Sequence, residues 1–324
     1  MIKNYLVTGG TGFIGSAVVK NLSRFKNTKV IVFDNNSRLS RTKDLNKFKN
    51  VIYINGDIRN RNKLNSVFKK YRINTIVHLA YINGTRFFYE KPCEIIDVAA
   101  RGMQNVIELG IRYKTPNFFL ASSSEVYHEP KIIPTPENID LKIPNIFNPR
   151  FSYGGGKIFC ELMAANYGKK YYKKMIIFRP HNVYGSNMGN EHVIPEFINS
   201  LKNKKSKNPQ FKIRGNGREK RAFIHIDDFA SALMLILRKG KHLNIYNIGN
   251  DSMVSIKHLA NQISKIMKVN PKYKYLSIAK GGTRFRCPNI DKLKKLGYRK
   301  KINLSEGLKK TINWYVNGKL RHVG

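Results

Sequence analysis

Nine residues, Val-Thr-Gly-Gly-Thr-Gly-Phe-Ile-Gly at positions 7–15, decide the fold of this chain. An apolar run leads into this stretch, and apolar residues at helical spacing follow it from Phe13 to Leu22. The pattern predicts a strand, a glycine-rich turn and a helix. Gly9, Gly12 and Gly15 leave room for a pyrophosphate to approach the backbone at the positive end of the helix dipole. The stretch therefore predicts a dinucleotide site, with a purely structural turn as the alternative.

The second predicted strand supports the dinucleotide interpretation. Lys29–Phe33 is mostly apolar and ends in Asp34, at the distance from the turn where an acid would bind ribose hydroxyls. A carboxylate there repels a 2′-phosphate and favours NAD over NADP, whereas the nearby Arg38 and Arg41 weaken that preference. A nucleoside-triphosphatase phosphate loop is disfavoured because Ser16 stands where that loop carries Lys.

Strands and amphipathic helices alternate through the first 180 residues. This rhythm predicts an α/β fold with a doubly wound parallel sheet and helices on both faces. The further predicted strands are Val51–Ile54, Asn74–Ala80, Asn117–Ala121 and Met175–Arg179, and the predicted helices are Lys63–Lys70, Pro92–Tyr113 and Tyr153–Lys173.

After residue 180 the alternation loosens. We expect residues 1–180 to form the dinucleotide-binding domain and residues 181–324 to form mainly a smaller α/β lobe for the substrate, with some return to the first domain. Predicted helices here are Val193–Lys202, Asp227–Leu237, Ser255–Met267 and Leu304–Val316, and predicted strands are Phe211–Ile213, Ala222–Ile226 and Asn244–Ile248.

The charge of the chain is unusual: 60 Lys and Arg against 20 Asp and Glu give a net charge of +40. Such a charge suggests nucleic acid or an anionic membrane as a partner. The basic residues are scattered in short groups rather than gathered in an arm, so we favour a compositional bias on solvated surfaces and expect no nucleic-acid binding. The charge should still attract an anionic substrate.

The remaining composition favours a cytoplasmic protein. Cys93, Cys160 and Cys287 lie far apart without a CxxC pair, which predicts neither a disulfide framework nor a metal site. No apolar run approaches the roughly 20 residues that cross a bilayer. The first predicted strand starts so early that we expect no signal peptide.

Two clusters of reactive side chains follow predicted strands. Ser122-Ser-Ser-Glu-Val-Tyr127 comes after one strand, where small hydroxyls often only cap a turn. Tyr153-Gly-Gly-Gly-Lys157 opens a predicted helix and places the Lys ammonium near the Tyr phenol. That ammonium and a nicotinamide ring would favour the phenolate, as a base at neutral pH requires. Three glycines cost about 1 kcal/mol each relative to Ala in a helix, which a ligand packed against the backbone would explain.

Together, these motifs make the whole chain resemble an extended short-chain dehydrogenase/reductase of the nucleotide-sugar epimerase/dehydratase group. Further matching segments are Gly56-Asp57, His78-Leu79-Ala80, Arg179-Pro-His-Asn-Val-Tyr-Gly185, Gly215–Asp228, Tyr246–Gly249 and Arg284–Ile290. The resemblance implies a Rossmann-like sheet with a C-terminal substrate lobe, NAD as cofactor, a nucleotide-sugar substrate and a homodimer. It also implies cofactor contacts at Gly9, Gly12, Phe13, Ile14, Gly15, Asp34, Asp57, Ile58, Leu79, Ala80, Tyr153 and Lys157.

The resemblance also implies catalytic roles. Tyr153 would take the proton from the sugar 4-hydroxyl while hydride leaves C4, Lys157 would hold the nicotinamide ribose and lower the Tyr153 pKa, and Ser123 would hydrogen-bond the 4-oxygen. The diphosphate would be held by Asn182, Arg221 and Arg286.

Glu125 separates the branches of the group. Simple 4-epimerases tend to carry a small neutral residue there, whereas members that resemble GDP-mannose 4,6-dehydratase or the uronic-acid decarboxylases carry Ser/Thr-Ser-Glu, as Ser123-Ser-Glu125 does here. In the dehydratases this Glu removes the C5 proton beside a C4 ketone. Other dehydratases pair the Glu with an Asp acid at the position of Ser124. The resemblance therefore implies an enzyme that oxidises C4, acts on the 4-keto sugar and returns the hydride. The alternatives are a nucleotide-uronic acid decarboxylase and, in a different class, a non-catalytic protein that binds a dinucleotide and RNA.

The chain departs from the family pattern at two positions. Ala99 stands where many relatives have Asn, and His181 replaces a more usual aromatic residue. We interpret His181, His78 and His225 as packing or hydrogen-bonded residues. The Met and aromatic residues along Phe159–Tyr172 are expected in the core.

Overall fold

The computed structural model describes residues 2–37, 45–202, 209–277 and 281–317, so Arg38 and Arg41 lie outside the described residues. The strands are β1 (Lys3–Thr8), β2 (Thr28–Asp34), β3 (Val51–Asn55), β4 (Thr75–His78), β5 (Asn117–Ala121), β6 (Lys174–Pro180), β7 (Val183–Tyr184), β8 (Gln210–Arg214), β9 (Lys220–Ala222), β10 (Ile224–His225), β11 (Asn244–Ile248), β12 (Met253–Ser255), β13 (Lys272–Leu276) and β14 (Phe285–Arg286).

Within the described ranges, seven parallel strands form the central sheet in the order β11-β6-β5-β4-β1-β2-β3. The direction of winding reverses between β1 and β4. The carboxyl ends of these two neighbours therefore form a switch point, where open α/β sheets bind ligands. The predicted doubly wound α/β fold is confirmed.

The helices are α1 (Phe13–Leu22), α2 (Arg61–Lys70), α3 (Thr85–Glu90), α4 (Pro92–Asp97), α5 (Met103–Arg112), α6 (Phe151–Tyr171), α7 (Val193–Lys202), α8 (Ile226–Lys239), α9 (Ile256–Met267), α10 (Asp291–Lys295) and α11 (Leu304–Asn317). A single π-helical turn, Val98–Gly102, joins α4 to α5. The predicted helix Pro92–Tyr113 is therefore observed from Pro92 to Arg112, with one π-helical turn within it. At the end of that turn a Cβ on Gly102 would lie 2.4 Å from Ile58 Cδ1, so the chain approaches the β3 loop very closely.

The sheet has an apolar core on each face because side chains alternate along its strands. Val7 and Val32 pack with α1 and α8 on one face. Leu6, Ile31 and Phe118 pack with α2, α5 and α6 on the other. All five side chains are buried. Helices on both faces thus leave the strand ends as the accessible edge of the sheet.

The chain after residue 180 contributes to two places. Strand β11 extends the central sheet beside β6, and α8 packs against α1. Another apolar cluster, which includes Phe197, Phe211 and Leu259, joins α7, α9 and α11. The predicted strand Ala222–Ile226 is instead divided, because β9 pairs with β12 and β14 whereas β10 pairs with β7. The division of the chain at residue 180 stays a prediction.

The prediction of a core position fails for part of α6. Phe159 and Tyr171 have 44% and 47% of their surface exposed, and Tyr171 is the last residue of the helix. The helical period turns Phe159 away from the sheet, together with Leu162, which is 59% exposed. Cys160 and Ala164, on the opposite side of the helix, are buried. In the described part of the chain, none of the helices is both long enough and apolar enough to cross a bilayer.

Candidate active site at the carboxyl ends of the sheet

The turn after β1 packs backbone against backbone. Gly9 has a φ of +70°, and a Cβ on it would lie 2.6 Å from Ala80 N. A Cβ on Gly15 would lie 2.0 Å from Gly9 O. Neither position has room for a side chain. The missing side chains let the start of α1 lie directly against the carboxyl ends of β1 and β4.

Two acidic residues follow neighbouring strands. Asp34 accepts hydrogen bonds from the backbone N–H groups of Thr11 and Asn36, both at 2.9 Å, which joins the end of β2 to the glycine turn. Asp57 follows β3 and pairs with Arg59 at 2.7 Å. Hydrogen bonds from Arg59 lower the pKa of Asp57 to about 2 against the opposing effect of burial.

These groups line a cleft of about 580 Å³. The structure brings nearly all the predicted site residues together in its wall, namely Gly9, Gly12, Phe13, Ile14, Gly15, Asp34, Asp57, Ile58, Leu79, Ala80, Ser123, Glu125, Tyr153, Lys157, Asn182 and Arg286. Arg221, the remaining predicted residue, donates hydrogen bonds to the backbone carbonyls of Lys220, Thr283 and Arg284.

Ser123 lies just beyond the end of β5. Its backbone is extended, and its Oγ accepts a hydrogen bond from Glu125 N at 3.2 Å, which caps the short 3₁₀ turn Ser124–Tyr127. The capping interpretation of this hydroxyl therefore describes part of its role. The same hydroxyl group lines the cleft, so the cap holds it at the position where a ligand would meet it.

Tyr153 and Lys157 lie one turn apart near the start of α6, and both are buried. Lys157 Nζ donates to Ala121 O at 2.7 Å, which ties the helix to the end of β5. Burial lowers the pKa of the Lys157 ammonium to about 8. Tyr153 stacks on Phe88, with ring centroids 4.6 Å apart, and meets Tyr81 edge to face at 5.2 Å.

Packing within the protein excludes a side chain at one of the three glycines in this helix, since a Cβ on Gly156 would lie 2.3 Å from Tyr81 Oη. At the other two the fit is only tight, with a Cβ on Gly154 3.3 Å from Glu125 O and one on Gly155 3.2 Å from Ile143 Cδ1. Gly156 thus makes room for a neighbouring side chain, where the sequence suggested a ligand.

Glu125 is held by two arginines. Arg286 Nη1 donates to its Oε1 at 2.7 Å, and Arg150 Nη2 lies 3.6 Å from its Oε2. Burial raises the pKa of Glu125, but the charges of Arg286 and Arg150 outweigh it and lower that pKa to about 2. The carboxylate is therefore a weak base while these pairs persist.

Asn182 and Arg221, the other two residues predicted to hold the diphosphate, lie near Glu125 and Arg286. Asn182 has a φ of +40° and donates from Nδ2 to Ala222 O at 3.0 Å. Burial, followed by the charge of Arg286, lowers the pKa of Arg221 to about 10. The two arginines thus lie close enough to repel each other, and an anion between them would relieve that repulsion.

The three histidines match the packing interpretation. His78 Nδ1 hydrogen-bonds Thr8 Oγ1 at 2.7 Å, and His181 Nε2 hydrogen-bonds Asn247 Oδ1 at 3.0 Å. His225 Nδ1 accepts from the backbone N–H of Asp227 at 3.3 Å. Burial lowers the pKa of both His78 and His181 to about 3. These rings are neutral at pH 7.

Comparison with known proteins assigns the family. The family model described as "NAD dependent epimerase/dehydratase family" matches residues 5–249. The chain belongs to this family. Its members are NAD dependent, and the prediction of NAD as cofactor is confirmed at that level.

Relatives of both branches cover nearly the whole chain. A dTDP-D-glucose 4,6-dehydratase of Dictyostelium discoideum is 29% identical, over 98% of this chain and 82% of its own length. A UDP-glucuronate 4-epimerase of Thermodesulfobacterium geofontis is also 29% identical, over 96% of this chain and 95% of its own.

Two solved structures share the fold. UDP-glucose 4-epimerase of Thermotoga maritima, with UDP-glucose, gives a TM-score of 0.87 at 27% identity, covering 97% of this chain and 99% of its own. dTDP-glucose 4,6-dehydratase of Bacillus anthracis, in complex with NAD, gives a TM-score of 0.85 at 26% identity, and the match covers 98% of this chain and 97% of that one.

The cleft of this family member fits NAD. The glycine turn offers a backbone cradle that any side chain on Gly9 or Gly15 would fill. Asp34 presents a carboxylate at the end of β2, where a ribose diol would meet it. Lys157 and Tyr153 lie in the wall beyond the end of β5.

Sequence reasoning missed three residues of the site. Tyr81 and Phe88 contact Tyr153 from the segment after β4, and Arg150 approaches Glu125 from the residue before α6. The one available signal was the density of aromatic residues in the stretch 81–89, directly after the His-Leu-Ala motif. Their partners lie far away in sequence, so spacing alone does not identify them.

Proposed function

We propose that this protein is a nucleotide-sugar epimerase/dehydratase that works through transient oxidation at sugar C4. The observation that carries the proposal is the convergence of Ser123, Tyr153 and Lys157 in the wall of a cleft that also contains the glycine turn and Asp34. A protein that only bound a dinucleotide would need the turn and the acid, but not a buried Tyr-Lys pair beside a serine.

In this proposal the protein supplies the proton chemistry. NAD, which the glycine turn and Asp34 would hold, would supply the acceptor and later the donor of the C4 hydride. Tyr153 takes the proton of the 4-hydroxyl as the C4–H bond breaks, so that the sugar becomes a 4-ketone, and gives the proton back on reduction. Lys157 supports the phenolate through its positive charge, and Ser123 donates a hydrogen bond to the 4-oxygen.

We propose that Asn182, Arg221 and Arg286 hold the diphosphate of the substrate. Arginine suits that task because its planar guanidinium makes paired hydrogen bonds to phosphate oxygens. Arg286 is already engaged by Glu125 at 2.7 Å. In the dehydratase branch, Glu125 would act as the C5 base only after Arg286 has turned to the diphosphate, because a carboxylate with a pKa of about 2 removes protons poorly.

A second candidate has an observation in its favour. Arg150 and Arg286 bring two positive charges to one carboxylate at the cleft wall. A uronic acid substrate would place a second carboxylate near these arginines. The 4-keto intermediate of such a substrate would be a β-keto acid, which loses carbon dioxide easily. We therefore keep the nucleotide-uronic acid decarboxylase as the alternative reaction.

We also propose a homodimer in the cytoplasm that binds no nucleic acid. Helices α4 and α6 contact each other, and their outer sides carry Ile96, Phe159 and Leu162, which are 53%, 44% and 59% exposed. Large apolar residues grouped on adjoining helices are typical of a protein interface. Leu162→Glu should turn a dimer into a monomer in light scattering. A Leu162→Glu protein with the wild-type mass would contradict this interface.

The proposed reaction is tested by NMR with the purified protein, NAD and a panel of UDP-, GDP-, dTDP- and CDP-linked hexoses and uronic acids in D₂O. Inversion at C4 without deuterium uptake identifies a 4-epimerase and removes the proposed C5 role of Glu125. Deuterium at C5 or C6 with a 6-deoxy-4-keto product identifies a dehydratase, and loss of carbon dioxide a decarboxylase. No reaction of any sugar while NAD stays bound would contradict the proposed function.

The assigned base is tested by substitution. Tyr153→Phe should reduce turnover by at least 10²-fold, since general base catalysis typically contributes 10²–10⁴-fold. Tyr167→Phe is the matched control, because Tyr167 lies on the same helix but packs in the core behind the sheet. Turnover of Tyr153→Phe equal to that of the control would remove Tyr153 from the mechanism.

A further inference from the structure

Tyr81 touches both members of the proposed catalytic pair. The Lys157 Nζ atom lies 3.7 Å from the centroid of the Tyr81 ring, and the ring of Tyr153 meets that of Tyr81 at 5.2 Å and 88°. A cation this close to a ring centroid is attracted by the negative face of the π system. Since Lys157 is buried, water competes weakly for its ammonium, and the attraction is stronger than on a surface.

The hydroxyl of Tyr81 does not explain why this side chain is there. Among the described residues, Tyr81 Oη has no hydrogen-bond partner although the atom is buried. A buried hydroxyl without a partner is a cost that a Phe at this position would avoid. The ring, rather than the hydroxyl, is therefore the useful part of Tyr81.

A glycine lies where the end of the Tyr81 side chain needs room. A Cβ on Gly156 would lie 2.3 Å from Tyr81 Oη and 2.9 Å from Ala99 Cβ. Gly156 is in the interior of α6, where glycine costs about 1 kcal/mol relative to Ala. The ring carbon Cζ of Tyr81 would lie 3.6 Å from a Cβ on Gly156, so this glycine makes room for the end of the Tyr81 side chain that carries the hydroxyl.

We infer that Tyr81 is a positioning residue, whose ring face holds the Lys157 ammonium beside Tyr153. The Lys157 ammonium is then fixed from two sides, because Ala121 O accepts its hydrogen bond at 2.7 Å and the Tyr81 ring faces it. The catalytic consequence rests on the proposed function, whereas the contact between ring and ammonium does not. Tyr81 has no proton-transfer role in this inference.

The inference is tested first without any substrate. In protein labelled with ¹³C-lysine, the Lys157 ε-methylene resonance is identified as the one absent from Lys157→Met. Ring-current shielding by Tyr81 should shift this resonance upfield in the wild type and in Tyr81→Phe, which keeps the ring. Tyr81→Leu removes the ring and should lose the shift.

A pH titration of the same resonance follows the charge of Lys157. Removal of the ring should lower the Lys157 pKa, because the ring stabilises the ammonium over the neutral amine, while Tyr81→Phe leaves that pKa unchanged. Gly156→Ala is a second probe, since its Cβ would lie 2.3 Å from Tyr81 Oη and should shift the Tyr81 side chain without removing it. Every variant retains the other ionisable groups that interact with the ammonium, which are Cys160 and Glu161 on α6 and His78 at the end of β4, as well as Tyr153 one helical turn before it.

Turnover is the second readout. Tyr81→Leu should reduce kcat by roughly tenfold, which corresponds to about 1.4 kcal/mol. Tyr81→Phe should retain the wild-type kcat. Gly156→Ala should lower kcat and also the melting temperature, because its Cβ would lie 2.3 Å from Tyr81 Oη and 2.9 Å from Ala99 Cβ. In this variant the shift of the Lys157 resonance, rather than the stability, therefore tests the position of the ring.

Two results would overturn the inference: an unshifted Lys157 resonance in the wild type, or Tyr81→Phe behaving as Tyr81→Leu. Failure of the proposed function is a separate outcome. In that case no nucleotide sugar reacts, but the resonance still moves on removal of the ring.

Discussion

Removal of the Glu125 charge should tighten the binding of nucleoside diphosphates. In the structure Arg286 donates to Glu125 at 2.7 Å, and their side chains are only 11% and 22% exposed. A diphosphate that recruits Arg286 must first break this pair and then lie near the carboxylate that was left behind. Glu125→Gln removes both of these costs, whereas the shape of the site stays nearly the same.

The expected gain follows from the strength of the pair. A hydrogen bond between charged groups contributes about 1.5–3 kcal/mol net, and the partial exposure of Glu125 places this pair at the lower end. About 1.4 kcal/mol corresponds to tenfold in affinity, so Glu125→Gln should bind nucleoside diphosphates about tenfold more tightly. The gain should shrink as salt is raised, because part of it is repulsion between charges.

Isothermal titration of the NAD-loaded protein with UDP, GDP, dTDP and CDP measures this effect without knowledge of the sugar. Glu108→Gln is the matched control, since it removes an equal charge from the pair of Glu108 with Arg61, two residues that are 30% and 44% exposed. Affinity that is unchanged or weaker in Glu125→Gln than in this control would refute the reasoning. It would mean that Arg286 hydrogen-bonds the carboxylate and the diphosphate at the same time, or that it does not reach the diphosphate.

Two further predictions concern stability. Arg179 makes two hydrogen bonds to Glu161, at 2.8 and 2.6 Å, in a buried pair, so Glu161→Gln should lower the free energy of unfolding in urea by about 3 kcal/mol; a loss below about 1 kcal/mol would contradict this. The pKa of Asp57 falls on folding from 3.8 to about 2, so its pair with Arg59 contributes stability that is complete above about pH 4 and is lost as the pH falls toward 2. Asp57→Asn should remove about 1–2 kcal/mol at pH 7 and flatten the pH dependence of unfolding in that window, and an unchanged slope would contradict it.

Local patterns account for the parts of the fold that the sequence predicted well. The helix after the glycine turn was predicted at Phe13–Leu22 and is observed with those bounds, as is the strand Asn117–Ala121. Both depend on the spacing of apolar residues and on neighbours in the chain. The helix predicted at Pro92–Tyr113 is observed from Pro92 to Arg112, and only its π-helical turn, Val98–Gly102, gives no signal in that spacing.

The apolar residues of α6 show a second limit of prediction from the sequence. The sequence identifies them as apolar, but which side of the helix faces the sheet depends on contacts made after folding. Phe159 and Leu162 consequently face outward on a helix whose opposite side is core. Apolar character alone therefore does not distinguish a core position from a protein interface.

The sequence by itself determined the doubly wound fold, the glycine turn and the motif residues of the cleft, because each of these depends on residues close together in the chain. Only the tertiary structure decided which charges and rings meet there. Arg286 reaches Glu125 across 161 positions, and Tyr81, from the segment after β4, places its ring 3.7 Å from the Lys157 ammonium on α6. Such contacts join segments that are distant in sequence. They set the charge and basicity of the side chains that the sequence motifs identify.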